Sequence, residues 1–165
     1  MDPILDKARA GQNFLERIAN AIPGFKGYRE KELRRDADRL QREHIASRLD
    51  QNKRSLNDAA NAATRGGSLD VINDIETARK RLDKVANRVR YADRGYGGFF
   101  DTVKVDEEML ERVYQFDLAL LDGVEAIAAA AASANDADGV RAMVAQIDAL
   151  DARLADREAI LAGMK

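Results

Sequence analysis

The sequence predicts an all-helical protein, an elongated bundle or set of helical hairpins of about five helices with coiled-coil-like packing. Its only two prolines are Pro3 and Pro23, so every residue from 24 onward has the backbone donor that a helix needs. Hydrophobic residues make up 45% of the chain and charged residues 34%, a mixture typical of long helices. Apolar residues also recur at spacings of three and four along most of the chain, which is the period of an amphipathic helix.

An N-terminal helix is expected over residues 1–22. Asp2 followed by Pro3 has the pattern of an N-cap and a first helical residue, and apolar residues then recur at helical spacing. The pair Pro23-Gly24 should end this helix, because proline lacks a backbone donor and glycine adopts conformations that other residues resist.

Residues 28–92 form the second unit, a long basic helical hairpin. Its first helix, from about residue 28 to 64, would span roughly 55 Å at 1.5 Å per residue, so we expect part of it to project or to pair with another chain. The turn Arg65-Gly66-Gly67-Ser68 combines a C-cap glycine with a new N-cap serine. The third helix carries the clearest heptad-like pattern and is predicted to be its antiparallel partner: Leu69, Ile72, Ile75, Leu82, Val85, Val89 and Ala92.

Residues 93–105 are predicted to be a loop, because three glycines and three aromatic residues are crowded into them. An acidic helical hairpin over residues 106–163 follows, with its turn and cap at Asn135-Asp136. The apolar stripe of its first helix runs from Leu110 to Ile127, and that of its second runs from Val140 to Leu161. We expect all of these units to form a single domain over residues 1–165.

Charge is distributed unevenly along the chain. Residues 1–100 contain 21 Lys and Arg against 15 Asp and Glu, whereas residues 101–165 contain 6 against 14. The two parts should therefore attract each other, within one chain or between copies, and pairing across the bundle is the simpler interpretation. Nucleic-acid or anionic-surface binding through the basic hairpin, residues 29–94, is the alternative. Interleaved acids such as Glu30, Asp36 and Glu43 favour a solvated, salt-bridged face instead.

No catalytic, cofactor-binding or metal site is expected, and the chain is predicted not to be an enzyme. Its single histidine, His44, cannot build a multi-histidine metal site, and no phosphate-binding glycine motif follows a strand. There are no cysteines, which fits a reducing compartment, so a cytoplasmic location is expected. The most apolar stretch, residues 124–134, is about half of the length that a transmembrane segment needs.

The most informative residues are aromatic and lie in the two predicted loops. If the second and third helices are antiparallel, the residues before one and after the other meet at the same end of the bundle. The aromatic rings there either form a satellite core that ties down the loops or mark a partner-binding surface, and packing is the plainer interpretation. Arg94 could stack on a ring or bind an acidic partner. The candidate interaction residues are Phe25, Tyr28, Arg94, Tyr96, Phe99 and Phe100.

Residues 23–35, together with residues 91–96 and 98–101, resemble segments of uncharacterised bacterial helical proteins, and the resemblance extends over residues 22–122. It implies no activity, cofactor or site. The residues themselves favour a non-catalytic helical interaction or scaffold protein, because long helices and heptad patterns are typical of such proteins. Protein partners and self-association are therefore expected, with nucleic acid as the less favoured partner.

Overall fold

A computed structural model describes residues 13–67, 69–91, 107–134 and 136–163 of the chain, and these residues fold into a helical bundle. Helix α1 covers residues 13–21 within the described part, and a 3-10 turn at Lys31–Leu33 leads into α2. The four longer helices are α2 at Arg34–Gly66, α3 at Leu69–Arg90, α4 at Glu107–Ala132 and α5 at Ala137–Gly163. The all-helical bundle expected from the sequence is therefore confirmed.

The second helix begins later than its apolar pattern predicts. Residues 22–30 are not helical, and Gly24 and Gly27 adopt positive φ angles of 84° and 87°, which interrupt a right-handed helix. Its end agrees with the predicted turn. Gly67 has a φ of 72°, and its N–H donates to the carbonyls of Ala63 and Thr64, so it satisfies carbonyls that the helix end leaves open.

The four long helices pack as two antiparallel hairpins laid against each other. Helix α2 contacts α3 and α4, and α5 contacts both α3 and α4. Two contacts show that α2 and α3 run in opposite directions. Lys53 on α2 binds Asp83 on α3, whereas Arg42, earlier on α2, binds the carbonyl of Arg90, later on α3. At the start of α5, the side chain of Asp136 accepts the N–H of Gly139 at 2.7 Å, as the predicted cap requires.

The core follows the apolar stripes of all five helices. Its largest fully buried side chains in the described part are Tyr28, Ile18, Ile45, Leu49, Leu56, Ile75, Leu82, Leu120, Ile127, Met143 and Ile147. One end of the bundle, which we call the base, is where α2 and α4 begin and where α3 and α5 end. At the opposite end, the hairpin tip, residues 57–74, contains no buried residue among those described, and Leu69 is 71% exposed.

The uneven charge of the sequence is used within the chain. Arg48 on α2 makes two hydrogen bonds of 2.9 Å to Glu125 on α4. On α3, Arg88 binds Asp151 at 2.6 Å and Glu158 at 2.9 Å, both on α5. A further pair joins Arg81 to Asp148. Ion pairs therefore join the basic hairpin to the acidic one, as the interpretation of pairing across the bundle expects. None of the helices in the described ranges has the length and apolar character that crossing a membrane requires.

Candidate functional site

Two of the candidate interaction residues lie in the core at the base. Phe25 is 5% exposed and Tyr28 is fully buried, and their rings meet edge to face with centroids 5.6 Å apart. Their burial does not support placing these two on a partner surface, and it is what the packing interpretation expects. Arg94, Tyr96, Phe99 and Phe100 lie outside the described residues.

Tyr28 is positioned by a close approach of the backbone at Gly27. A Cβ atom at Gly27 would lie 2.5 Å from the hydroxyl oxygen of Tyr114. Because glycine has no such atom, the N–H of Tyr28 reaches that hydroxyl at 2.9 Å, and the two rings stack with centroids 5.7 Å apart. The non-helical residues 22–30 are thereby attached to α4.

A chain of buried charged groups continues from Tyr28 across the base. The Tyr28 hydroxyl donates to Asp117 at 2.5 Å, and Arg157 Nε donates to the same carboxylate at 2.7 Å. Arg157 Nη2 donates to Asp38 at 2.9 Å, and Arg42 Nε donates to the other oxygen of Asp38 at 2.7 Å. These five residues, the buried charge chain, connect α2, α4 and α5, and two guanidinium groups balance two carboxylates.

Burial raises the pKa of two groups in the buried charge chain. Desolvation raises the pKa of Asp117. The positive charge of Arg157 opposes this rise, as do the hydrogen bonds that the Tyr28 hydroxyl and Arg157 donate to the carboxylate. The pKa of Tyr28 is also raised well above its usual value, mainly by desolvation and next by the negative charge of Asp117. Tyr28 therefore stays protonated and remains a hydrogen-bond donor. The arrangement holds helices together, because every one of these groups is bonded to another.

Sequence reasoning missed the buried charge chain. It favoured a solvated, salt-bridged face for the basic hairpin of residues 29–94, but the structure buries Arg34, Asp38 and Arg42 of that hairpin. Arg34 Nε donates to the carbonyl of Tyr28 at 2.7 Å. For Asp117 and Arg157 the sequence did contain a signal of burial. Both residues continue the apolar stripes of their helices at spacings of three and four.

A groove of about 510 Å³ opens at the base between α2 and α3. Tyr91 lies at its edge with 70% of its surface exposed, although most large apolar side chains in the described ranges are covered. Arg42 contributes a side chain that is only 10% exposed, and its Nη1 donates to the carbonyl of Arg90 at 2.9 Å. The groove is lined by Arg39, Arg42, Glu43, Ser47, Asp50, Arg90 and Tyr91.

The charges in this groove are partly paired. Partial burial opposes ionisation of Asp50, but its hydrogen bond to Arg90 and the nearby charge of Lys53 outweigh that effect and lower its pKa. Arg39 contacts Asp36 at 3.5 Å and Glu43 at 3.6 Å, with more than half of each side chain exposed. Such exposed pairs are weak, so Arg39 can exchange them for another acidic group at little cost.

A second, smaller groove of about 220 Å³ lies beside the start of α2. Its walls include the half-buried Leu33 and Leu40, and Arg39 borders it as well as the first groove. Arg39 therefore borders two depressions, and the smaller one combines the aliphatic side chains of Leu33 and Leu40 with charged groups.

Within the described ranges, no group of three or more histidine, cysteine or acidic side chains could hold a metal ion. Comparison of the chain with models of protein families, with curated proteins and with solved structures gives no match.

Proposed function

We propose that the chain is a non-catalytic helical interaction or scaffold protein that acts in the cytoplasm and binds a protein partner at the base of its bundle. The observation that carries this proposal is the exposed ring of Tyr91 at the edge of a groove that contains three arginines. Tyrosine and arginine are the residue types, with tryptophan, that contribute most often to binding energy at protein interfaces.

The buried acid–base groups support a non-catalytic role. Tyr28, Asp38 and Asp117 are at most 1% exposed and are bonded to arginines and to one another. A general acid or base must reach the proton of a substrate within hydrogen-bond distance. In this arrangement the same groups are engaged in holding three helices and the segment before α2 together.

Ion pairing weakens the case for nucleic acid as the partner. Arg48, Arg81 and Arg88, which belong to the basic hairpin, are bound to carboxylates of the acidic hairpin. Nucleic-acid binding gains its affinity from cations that neutralise successive phosphates, and paired cations contribute less to it. A protein partner is therefore the better candidate, and binding to heparin or DNA with a steep salt dependence would support the alternative.

Site-specific photo-crosslinking tests this proposal. Benzoylphenylalanine at position 91 should give a discrete adduct with a partner in native cells, whereas the same group at position 61, which is exposed on the hairpin tip, should not. The partner, once purified, should bind Tyr91→Ala at least about tenfold more weakly, as a hot-spot residue predicts, with the melting temperature unchanged. No adduct at position 91, or identical adducts at both positions, would contradict the proposal.

A further inference from the structure

We infer that the partner segment bound at the base is acidic and amphipathic, with carboxylates at the α2–α3 groove and an aliphatic side chain in the smaller groove. This inference rests on the proposed function and specifies the chemistry of the partner. Arg39 lines both grooves, so one bound segment can contact the two of them.

The arginines of the larger groove have donors to spare. A guanidinium carries five N–H donors, and Arg42 uses Nε for Asp38 and Nη1 for the carbonyl of Arg90. Its side chain is 10% exposed, so it forms part of the floor, where hydrogen bonds to an incoming carboxylate are screened less than on an open surface. Arg39 and Arg90 offer further donors at the sides. A carboxylate suits this set because guanidinium groups bind it in a planar, bidentate manner.

The smaller groove determines the apolar part of the partner. Leu33 and Leu40 are half-buried there, so part of their apolar surface still faces solvent, and the charged residues Lys26, Asp36 and Arg39 complete the lining. Because Arg39 lines both grooves, a segment that crosses α2 at Arg39 can place neighbouring side chains in the two grooves. An aliphatic residue in one groove and acidic residues in the other complement these walls.

The acidic residues around the grooves argue against a nucleic-acid strand. Glu43 and Asp50 line the larger groove and Asp36 lines the smaller one. A phosphate backbone would pass these carboxylates at regular intervals, whereas a peptide can place its few carboxylates beside arginines only. The observations therefore favour a peptide segment over DNA or RNA.

Amide chemical-shift mapping by NMR tests the inference with defined probes. The main probe is an acetylated, amidated hexapeptide of four glutamates, one leucine and one phenylalanine, and the matched control has glutamine in place of each glutamate. The acidic peptide should shift amides around Arg39, Arg42 and Tyr91, and about 0.5 M NaCl should abolish the effect. Equal shifts with the glutamine peptide, or no shifts with either, would overturn the inference.

Two variants and two further arms make the result specific. Arg39→Gln should weaken binding of the acidic peptide by about threefold or more, whereas Arg54→Gln, exposed on the same helix outside both grooves, should leave it unchanged. Unchanged spectra without peptide will show that both variants fold. Stronger binding of a single-stranded DNA of about 12 nucleotides would overturn the inference in favour of nucleic acid. Shifts that appear on concentrating the protein alone would overturn it in favour of a second copy.

The two proposals fail in different ways. Crosslinking at position 91 combined with equal binding of both peptides would leave a partner site at the base and remove its acidic specificity. Specific binding of the acidic peptide without any crosslinked protein would contradict the proposed function and leave the groove chemistry intact.

Discussion

Replacing Arg157 with methionine should strongly destabilise the bundle. The side chain is 3% exposed and donates to Asp117 at 2.7 Å and to Asp38 at 2.9 Å. Methionine fills much of the same volume but leaves Asp117 without a charged partner in a buried position, while Asp38 keeps its hydrogen bond from Arg42. Removing one partner from a buried ion pair typically costs about 3 to 5 kcal/mol, because the remaining charge is desolvated without compensation.

Urea unfolding followed by circular dichroism at pH 7 measures this cost. For a chain of this size each kcal/mol corresponds to about 2 to 4 °C, so the melting temperature should fall by about 6 to 20 °C. Arg153→Met is the matched control one turn earlier on α5. Arg153 is exposed and makes a single bond of 3.3 Å to the carbonyl of Ala119, so its loss should cost no more than about 0.5 kcal/mol.

The pH dependence of the same variant provides a second test. Loss of Arg157 removes the main influence that opposes the raised pKa of Asp117, so this pKa should rise further. A carboxyl group whose folded pKa lies above its unfolded value favours the fold at low pH and loses that contribution as pH rises through the folded pKa. The deficit of Arg157→Met relative to wild type should therefore shrink as the pH is lowered from 7 towards 5. A deficit below about 1 kcal/mol at pH 7 would refute the reasoning about an uncompensated buried charge.

Three further outcomes are expected. Gly27→Ala should lower the free energy of unfolding by about 1 to 3 kcal/mol and the melting temperature with it, because the residue has a positive φ and its added Cβ would collide with Tyr114. Gly66→Ala, at an open helical position, should instead stabilise the protein slightly. The free energy of unfolding should fall as pH rises above 10.0, the usual pKa of tyrosine, because Tyr28 then ionises only in the unfolded chain. Tyr28→Phe should reduce this dependence on pH and should lower stability at neutral pH. Leu69→Lys should reduce self-association in sedimentation velocity without changing the melt, and a compact monomer at all concentrations of wild type would contradict the expected self-association.

The helices and much of the core could be predicted from the sequence, because both depend on local order along the chain. Periodic apolar residues such as Ile75, Leu82 and Val85 identify the inward face of a helix without knowledge of its neighbours. The glycines at 66 and 67 predict the turn between α2 and α3 because only certain residues adopt the required backbone conformation. The uneven charge of the chain favoured pairing of the two hairpins within one molecule but left pairing between copies open, and the ion pairs between the hairpins are a finding of the structure.

Tertiary structure alone decided which buried charged residues pair with one another. Asp38 and Arg157 are 119 positions apart, and Asp117 is 40 positions from Arg157, so neither local spacing nor composition links them. A charge on an inward face is tolerated only where the packing of other helices supplies the opposite charge and the remaining hydrogen bonds. For the same reason the groove beside Tyr91 could not be predicted, because it is formed by residues of α2 together with the end of α3. The exposure of the Tyr91 ring likewise depends on what the rest of the chain leaves uncovered.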